Sequence, residues 1–591
     1  MRDIGELVSR ELLPYVRNPG QYIDLETNAR CGKSPASAEV SVCLAFPDAY
    51  TVGMSHLGGQ ILYQVLNDAP GVACDRTYCP MPDAEQRMRE ASVPLFGWES
   101  RIAVGDFDIL GVSLSTDLCV TNVLTMLDLA GVPLTAVDRD DEHPIVVGGD
   151  AMADAPEPLA DFFDVFLPGD GERTLPELVE LLRRDGSAGA GREGVLLEAA
   201  RTIPSAYVPR FYEPVYEQGV FAGLKRLRSD VPEYIERAHV ADLSSSPDLT
   251  APLVPLSEAV HERVVVEIMR GCPNACRFCQ AGATRLPVRY RPVEQIVGTV
   301  REALANTGYR EVALLSLSSS DYPHLEELIN RLHDEFAERH VSVSLPSLRV
   351  GTQLRLLPAL TSRVRKSGLT IAVEAASQRL RRAMRKDISD DDILAGVRAG
   401  YEAGLRRVKL YFMAGLPGET DEDIDAIFHL CRRISQVKKD VDGHPASVDA
   451  TVSWFVPKPH TPMQWEPMRD ADYYFSVRRR LRELSRRTPV KFKFHRIERS
   501  ILEGLIGRGD RRTGKVIRAA WESGARMDGW DEHFDYLHWQ RAFENTGVDP
   551  AGQTTRAIPL DAPLPWAHVR CPRTEKFLTR ENQRLREVLA D

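Results

Sequence analysis

Strand-length apolar runs alternate twice with amphipathic segments of helical length, and this alternation restricts the fold more than any other feature of the chain. Runs of four to eight aliphatic or β-branched residues bounded by Gly, Pro and Asp read as strands. The longer polar-faced segments between them read as helices. The first stretch predicts strands at Val40–Phe46, 106–114, 144–149 and 164–167. The second predicts them at 264–269, 311–316, 341–345, 369–374, 407–412 and 450–455. Strands separated by helices return through crossovers, so both sheets are parallel, and ligands collect at the strands' C-terminal ends. The predicted fold class is α/β: a flavodoxin-like doubly wound domain, a partial TIM-type (β/α)6 barrel and a mainly helical C-terminal extension. The boundaries read as a lead-in at 1–39, a first domain at 40–185, a connector at 186–254, a barrel at 255–475 and an extension at 476–591.

Composition excludes several classes. A net charge of −11 over 591 residues argues against a general nucleic-acid coat. No apolar run approaches the roughly 18 residues of a membrane span, and the first residues, MRDIGELVSRELLPYV, lack a signal-peptide core. Ten cysteines are too few for a disulfide framework in a chain this long, which predicts a reducing cytoplasm.

Three of those cysteines carry chemistry. Cys272, Cys276 and Cys279 follow the 264–269 strand with spacing C-x3-C-x2-C, so three soft ligands sit on one loop at a strand's C-terminal end. Zinc closes with four ligands, and no fourth Cys or His follows at finger spacing. A cubane [4Fe–4S] cluster on three cysteines leaves one iron open. This loop, with Phe278 before the last cysteine, resembles the radical S-adenosylmethionine (SAM) superfamily. The resemblance implies a [4Fe–4S] cluster whose open iron binds SAM, reductive formation of a 5′-deoxyadenosyl radical, and an electron donor such as flavodoxin or ferredoxin.

The same resemblance implies ligand contacts elsewhere. Ser319, Ser320 and Asp321 replace a Gly-Gly-Glu-like element at the SAM amino group. Arg349 can pair with the SAM carboxylate, Glu374 with its ribose or amino group, and Gly415 and Gly418 of GLPGET lie near the adenine. GLPGET by itself reads as a turn with Thr420 as helix N-cap. The first domain resembles the cobalamin-binding domain found upstream of many radical SAM domains. That implies cobalamin contacts at Asp48, Tyr50, Gly53, Ser113, Gly148, Gly149, Gly169, Gly171 and Glu172. Asp48-Ala49-Tyr50-Thr51-Val52-Gly53 keeps the frame of D-x-H-x-x-G with Tyr for His, so the implied form lacks a histidine on cobalt; His56 is the nearby alternative. No residue is assigned as catalytic. His460, in a Pro-rich loop at the barrel mouth, can act on substrate or stiffen the loop.

Between Val477 and Lys515 fourteen Lys and Arg face four Asp and Glu, with Phe492, Phe494 and His495 interleaved. Such a tract holds RNA or forms a solvated face. The function that follows is a radical SAM enzyme with cobalamin as methyl carrier on an unassigned substrate. The alternatives are an RNA-modifying methyltransferase or methylthiotransferase, and a non-catalytic assembly protein that keeps the fold. A methylthiotransferase would need a second cluster, for which Cys43, Cys79 and Cys119 are the candidates; free buried cysteines is the other reading.

Overall fold

The computed structural model describes residues 1–30, 33–187, 189–344 and 369–590. The first domain is a five-stranded parallel sheet of β1 (Val40–Phe46), β2 (Val72–Tyr78), β3 (Ile109–Ser113), β4 (Ile145–Gly149) and β5 (Val165–Phe166). Their order, β2-β1-β3-β4-β5, is that of a flavodoxin-like sheet, with its switch point between β1 and β3. Helices α1 (Leu57–Asp68), α2 (Val120–Leu129) and α3 (Gly171–Ser187) provide crossovers and cover. The strand β2 escapes the hydropathy pattern because VACDRTY carries two charges. Both are buried: Asp75 accepts from Ser100 Oγ at 2.6 Å, and Arg76 pairs with Glu99 at 2.7 Å.

Among the described residues, the main strands of the second domain form two parallel sheets. Strands β6 (Val264–Glu267), β7 (Glu311–Leu315) and β8 (Ser342–Ser344) form one parallel sheet. Strands β9 (Leu369–Glu374), β10 (Val408–Ala414), β11 (Val448–Trp454) and β12 (Val490–Phe494) form the other. Six of these match the predicted βα units. The seventh, β12, pairs in parallel with β11, so the barrel sheet continues past the boundary placed at 475. VKFKF has the alternation of a half-buried strand, with Phe492 and Phe494 packed inward and Lys491 and Lys493 exposed. Helix α4 (Asp421–Asp442) follows β10 through a capping box in which Thr420 and Asp423 satisfy each other's backbone N–H groups.

The C-terminal extension is not a separate module. Helices α6 (Ile497–Gly507), α7 (Thr513–Glu522) and α8 (Tyr536–Thr546) share one core with the first domain, including Leu505, Ile517 and Trp539. Polar contacts fasten the seam: Thr121 Oγ1 donates to Asp528 at 2.8 Å, and Trp530 Nε1 donates to Asp48 at 2.7 Å. Helix α5 (Ala471–Ser485) lies on the barrel side, and the last helix, α9 (Glu575–Ala590), packs on the cysteine loop.

A cysteine loop between two cavities

The cysteine loop leaves β6 at Glu267 and is held from three sides. Arg270 is the first clamp. Its guanidinium pairs with Glu267 at 2.9 Å, Glu172 at 2.5 Å and Asp170 at 3.1 Å. Asp170 also takes Arg289 at 2.6 Å, and these cations hold its carboxyl below the usual range despite burial. The acidic motif after β5 thus latches the first domain to the residue two before Cys272. The second clamp is Arg277, inside the cysteine triad. It pairs with Glu581 of α9 at 3.1 Å and donates to Ala383 O at 2.7 Å. Phe278 packs with Leu585 and Leu589 of the same helix. The third is Asn274, whose amide donates to Asp321 at 2.6 Å and approaches Cys272 Sγ at 3.5 Å, while Ser318 Oγ donates to the same carboxylate at 2.6 Å.

Cys272, Cys276 and Cys279 are partly exposed, whereas Cys43, Cys74, Cys79, Cys119 and Cys431 are buried. Cys279 Sγ accepts from Gly282 N–H at 3.3 Å. Burial pushes its thiol up to about 11; the Gly282 N–H opposes this, and Cys276, Cys272 and Glu374 add to it. The three sulfurs and Glu374 therefore share one electrostatic environment. Among the described residues no three Cys, His, Asp or Glu side chains converge on a single ion. By its chemistry, three thiolates on one loop with no fourth ligand at finger spacing, the donor set suits a [4Fe–4S] cluster with one open iron better than a closed zinc site. The second-cluster trio does not gather: Cys43 is influenced by Cys74 and Asp75, whereas Cys79 is influenced by Cys119.

The predicted SAM contacts divide. Asp321 joins the cysteine loop through Asn274; Ser319 Oγ bonds to Ser316 Oγ at 2.9 Å; Ser320 is buried beside it. Glu374 ends β9 at a bulge with φ 69° and meets Lys386 Nζ at 3.2 Å. Gly415, at φ 90°, leaves room for the Tyr474 ring, which an added Cβ would meet at 2.6 Å. Gly418 lies against Leu589 of α9. Arg349 lies outside the described residues.

A cavity of about 620 Å³ opens where the β1/β3 switch point faces β6 and β7. Leu44, Ile61, Val112 and Val147 give it apolar walls; Ser113, Gly149, Gly169, Gly171 and Glu172 line it. Asp48, Tyr50, Gly53 and Gly148 are not among its lining residues. Asp48 is held by Trp530, and Tyr50 is buried with its hydroxyl donating to Glu26 at 3.0 Å. Close approach by a ligand is not what requires glycine at 148 or 169. A Cβ on Gly148 would meet the Phe166 ring at 2.6 Å, and one on Gly169, at φ 115°, would meet Ala238 O at 2.2 Å. Gly149 alone of these faces open space. His56 has no free nitrogen: Nδ1 accepts from Gly59 N–H at 3.1 Å, capping α1, and Nε2 lies 3.4 Å from Asp150. Two guanidinium atoms of cavity-lining residues, Arg237 Nη1 and Arg263 Nε, are buried without a hydrogen-bond partner.

Sequence reasoning missed a second, smaller cavity of about 250 Å³. It lies between the loops after β3 and β4, Gln280 beside Cys279, Lys458 and α6. Lys458 pairs there with Asp117 and, at 3.5 Å, with Glu503. Burial pulls the Lys458 ammonium down, but Asp117 and Glu503 outweigh it and hold it charged. The LysPro dipeptide in a Pro-rich loop was the available signal. His460, two residues on, is buried with Nε2 2.6 Å from Asp154 O, a bracing contact between domains rather than a group facing a cavity.

Residues 266–431 match the family described as Radical SAM superfamily, and residues 58–209 match that described as Radical SAM proteins, N-terminal. An uncharacterised protein of Methanocaldococcus jannaschii is 26% identical over 81% of this chain and 90% of its own length. The ribosomal protein uS12 methylthiotransferase RimO of Paramagnetospirillum magneticum is 27% identical over 32% of this chain and 47% of its own length. Among solved structures, the radical SAM methyltransferase TsrM of Kitasatospora setae, with cobalamin and a [4Fe–4S] cluster bound, has a TM-score of 0.48 at 16% identity, covering 72% of this chain and 77% of its own. The cobalamin-dependent enzyme OxsB scores 0.48 at 11% identity, covering 93% and 80%.

Proposed function

We infer that this chain, a radical SAM superfamily protein by its matched domain, is an enzyme that holds a [4Fe–4S] cluster on Cys272, Cys276 and Cys279 and a corrinoid between its first two domains. The observation that carries the reading is three only partly buried cysteines gathered on one braced loop, with Arg270 lining the larger cavity and Gln280 the smaller, while five other cysteines are buried and Cys571 lies elsewhere. When bound, the cluster and SAM supply a 5′-deoxyadenosyl radical for hydrogen abstraction, and a corrinoid supplies a transferable methyl group.

What the protein's own residues do follows from their contacts. Arg270, Arg277 and Asn274 fix the loop through partners in three different parts of the chain, which orients the thiolates before any ligand arrives. Asp321 and Glu374 place carboxylates on the loop's barrel side, and the buried Ser319 braces the turn through Ser316. The larger cavity sits at the switch point where doubly wound sheets bind ligands, and its lining mixes apolar walls with the polar groups of Ser113, Glu172 and Arg270. The engagement of His56 by Gly59 and Asp150 fits a corrinoid held without a histidine on cobalt. Walls of packed apolar side chains exclude water from a reactive centre. A one-electron donor such as flavodoxin or ferredoxin is the partner this chemistry requires.

The test is anaerobic reconstitution with iron, sulfide and hydroxocobalamin. About four irons and one cobalt per chain are expected. Cys272→Ala should retain less than half the iron and lose SAM cleavage. SAM cleavage by that variant would overturn the cluster assignment, and iron without cobalt would confine the inference to the barrel.

A further inference from the structure

The basic tract is not a uniformly solvated face. Arg480, itself 40% exposed, pairs with Asp425 at 2.5 Å and Asp421 at 2.8 Å on α4. Arg478 and Arg482 are different: they stand four apart on α5, and Arg486 follows at its non-helical C-cap. Glu483 lines the same hollow, yet among the described residues no carboxylate forms an ion pair with any of the three. Like charges four apart on a helix repel. In a protein of net charge −11, the repulsion in this row is offset by ring contacts and the nearby Glu483 rather than by ion pairs.

Aromatic faces alternate with these cations. Two surface hollows of about 440 and 460 Å³ meet at Arg478 and Arg482, making one trough from Arg486 across β12 to Tyr536. Phe475 is 39% exposed with Arg478 over its ring at 4.9 Å; Arg482 lies 5.6 Å over Phe494. Lys493 continues the charge along the second hollow, whose wall also holds Arg496, paired with Asp531 at 3.2 Å, and the carboxylates of Glu498 and Asp535. The trough ends at the start of α6. The other end of that helix, at Glu503 and Gly507, lines the small cavity beside Gln280 and Lys458. Eleven residues of helix span roughly 16 Å, a reach of about two or three nucleotides at ~6 Å each along an extended strand.

We propose that this trough binds a single-stranded polynucleotide and that the enzyme's substrate is a nucleotide within such a strand, presented to the cavity beside Gln280. Cations spaced along a groove meet successive phosphates, and exposed rings stack on bases of any sequence. An acidic polypeptide would satisfy the arginines but leave the exposed Phe475 ring, which now faces Arg478, without a flat partner. The substrate half rests on the radical SAM reading above; the binding half does not.

The experiment uses the full chain without cluster loading and fluorescein-labelled twelve-nucleotide probes: uridylate and adenylate RNA, and thymidylate DNA. Anisotropy should show binding at low salt that weakens at least tenfold between 50 and 200 mM salt. Combined Arg478→Glu, Arg482→Glu and Lys493→Glu should weaken it more than tenfold. Arg173→Glu, Arg228→Glu and Arg518→Glu, which change net charge equally at other surfaces, should leave it within threefold. Preference for RNA over DNA identifies the source of the strand. No binding at low salt, equal loss in both triple variants, or tighter binding of polyglutamate than of RNA would overturn the proposal. Cluster loading plays no part in the measurement, so its outcome and that of the iron analysis stand apart.

Discussion

Glu419 lies under the loop that follows β10, 9% exposed, accepting from Gly415 N–H and Tyr473 Oη–H, each at 2.6 Å. Burial pushes its carboxyl up to about 7, with the Tyr473, Gly415 and Leu416 donors opposing the rise. An unfolded glutamate titrates near 4.3. Between those values the native state holds the proton that the unfolded chain releases, so stability falls as pH rises from about 4.3 to about 7 and is level above. The loss should total on the order of 3 kcal/mol. Glu419→Gln keeps the accepting oxygen and removes the titration. The melting temperature of the natural protein relative to this variant should therefore fall between pH 5 and pH 8. A constant difference would mean that Glu419 titrates in the native state as it does unfolded. The sequence announces this residue only as part of GLPGET, because the Tyr473 hydroxyl that holds it comes from α5.

At the scale of elements, the helix that sequence treats as a tail closes the functional loop. Glu581 of α9 accepts Arg277 at 3.1 Å, Arg385 at 3.3 Å and Arg584 at 2.7 Å while its own side chain is 2% exposed. Removing it leaves the Arg277 guanidinium buried without its carboxylate, which typically costs about 3–5 kcal/mol. Glu581→Ala should thus loosen the loop before it unfolds the protein. Amide exchange across residues 272–283 should rise at least tenfold, with β1 and β3 unchanged. Uniform exchange across the chain would refute a local role for α9. Legibility divides along the same line. The parallel sheets, the cysteine loop and the Thr420 cap follow from spacing within a few residues, where hydrophobic period and cap chemistry act. The Arg277–Glu581 pair joins residues 304 apart, and no local pattern encodes it. Gly148 and Gly169 show a third limit: glycine marks crowding, but only the fold reveals that Phe166 and Ala238, not a ligand, do the crowding. The KFKF of β12 was readable as a strand, but its charge count pointed first to a surface tract.

At the scale of the molecule, the first domain, the barrel and the extension meet around two buried imidazoles. His460 of the barrel loop bonds to Asp154 O of the first domain, and His568 of the extension packs its ring 4.5 Å from that of Tyr207. Burial pushes His568 down to about 3, and His460 and Arg511 push it further the same way. An unfolded histidine titrates near 6.5. Below that value the unfolded chain takes up a proton that native His568 refuses, so stability is lost as pH falls from about 6.5 towards 3. By pH 5 the loss from this one residue should reach about 2 kcal/mol. Its sign is opposite to that of Glu419, so the two partly cancel in the natural protein and only variants separate them. His568→Phe keeps the ring contact with Tyr207 and removes the proton site. From pH 7 to pH 5 the natural protein should lose about 2 kcal/mol relative to this variant in urea midpoints. With Glu419→Gln added to both chains, the natural protein should show its acid sensitivity undiluted. Equal acid losses with and without His568 would place the sensitivity of the junction on His460, whose imidazole is also held down by burial.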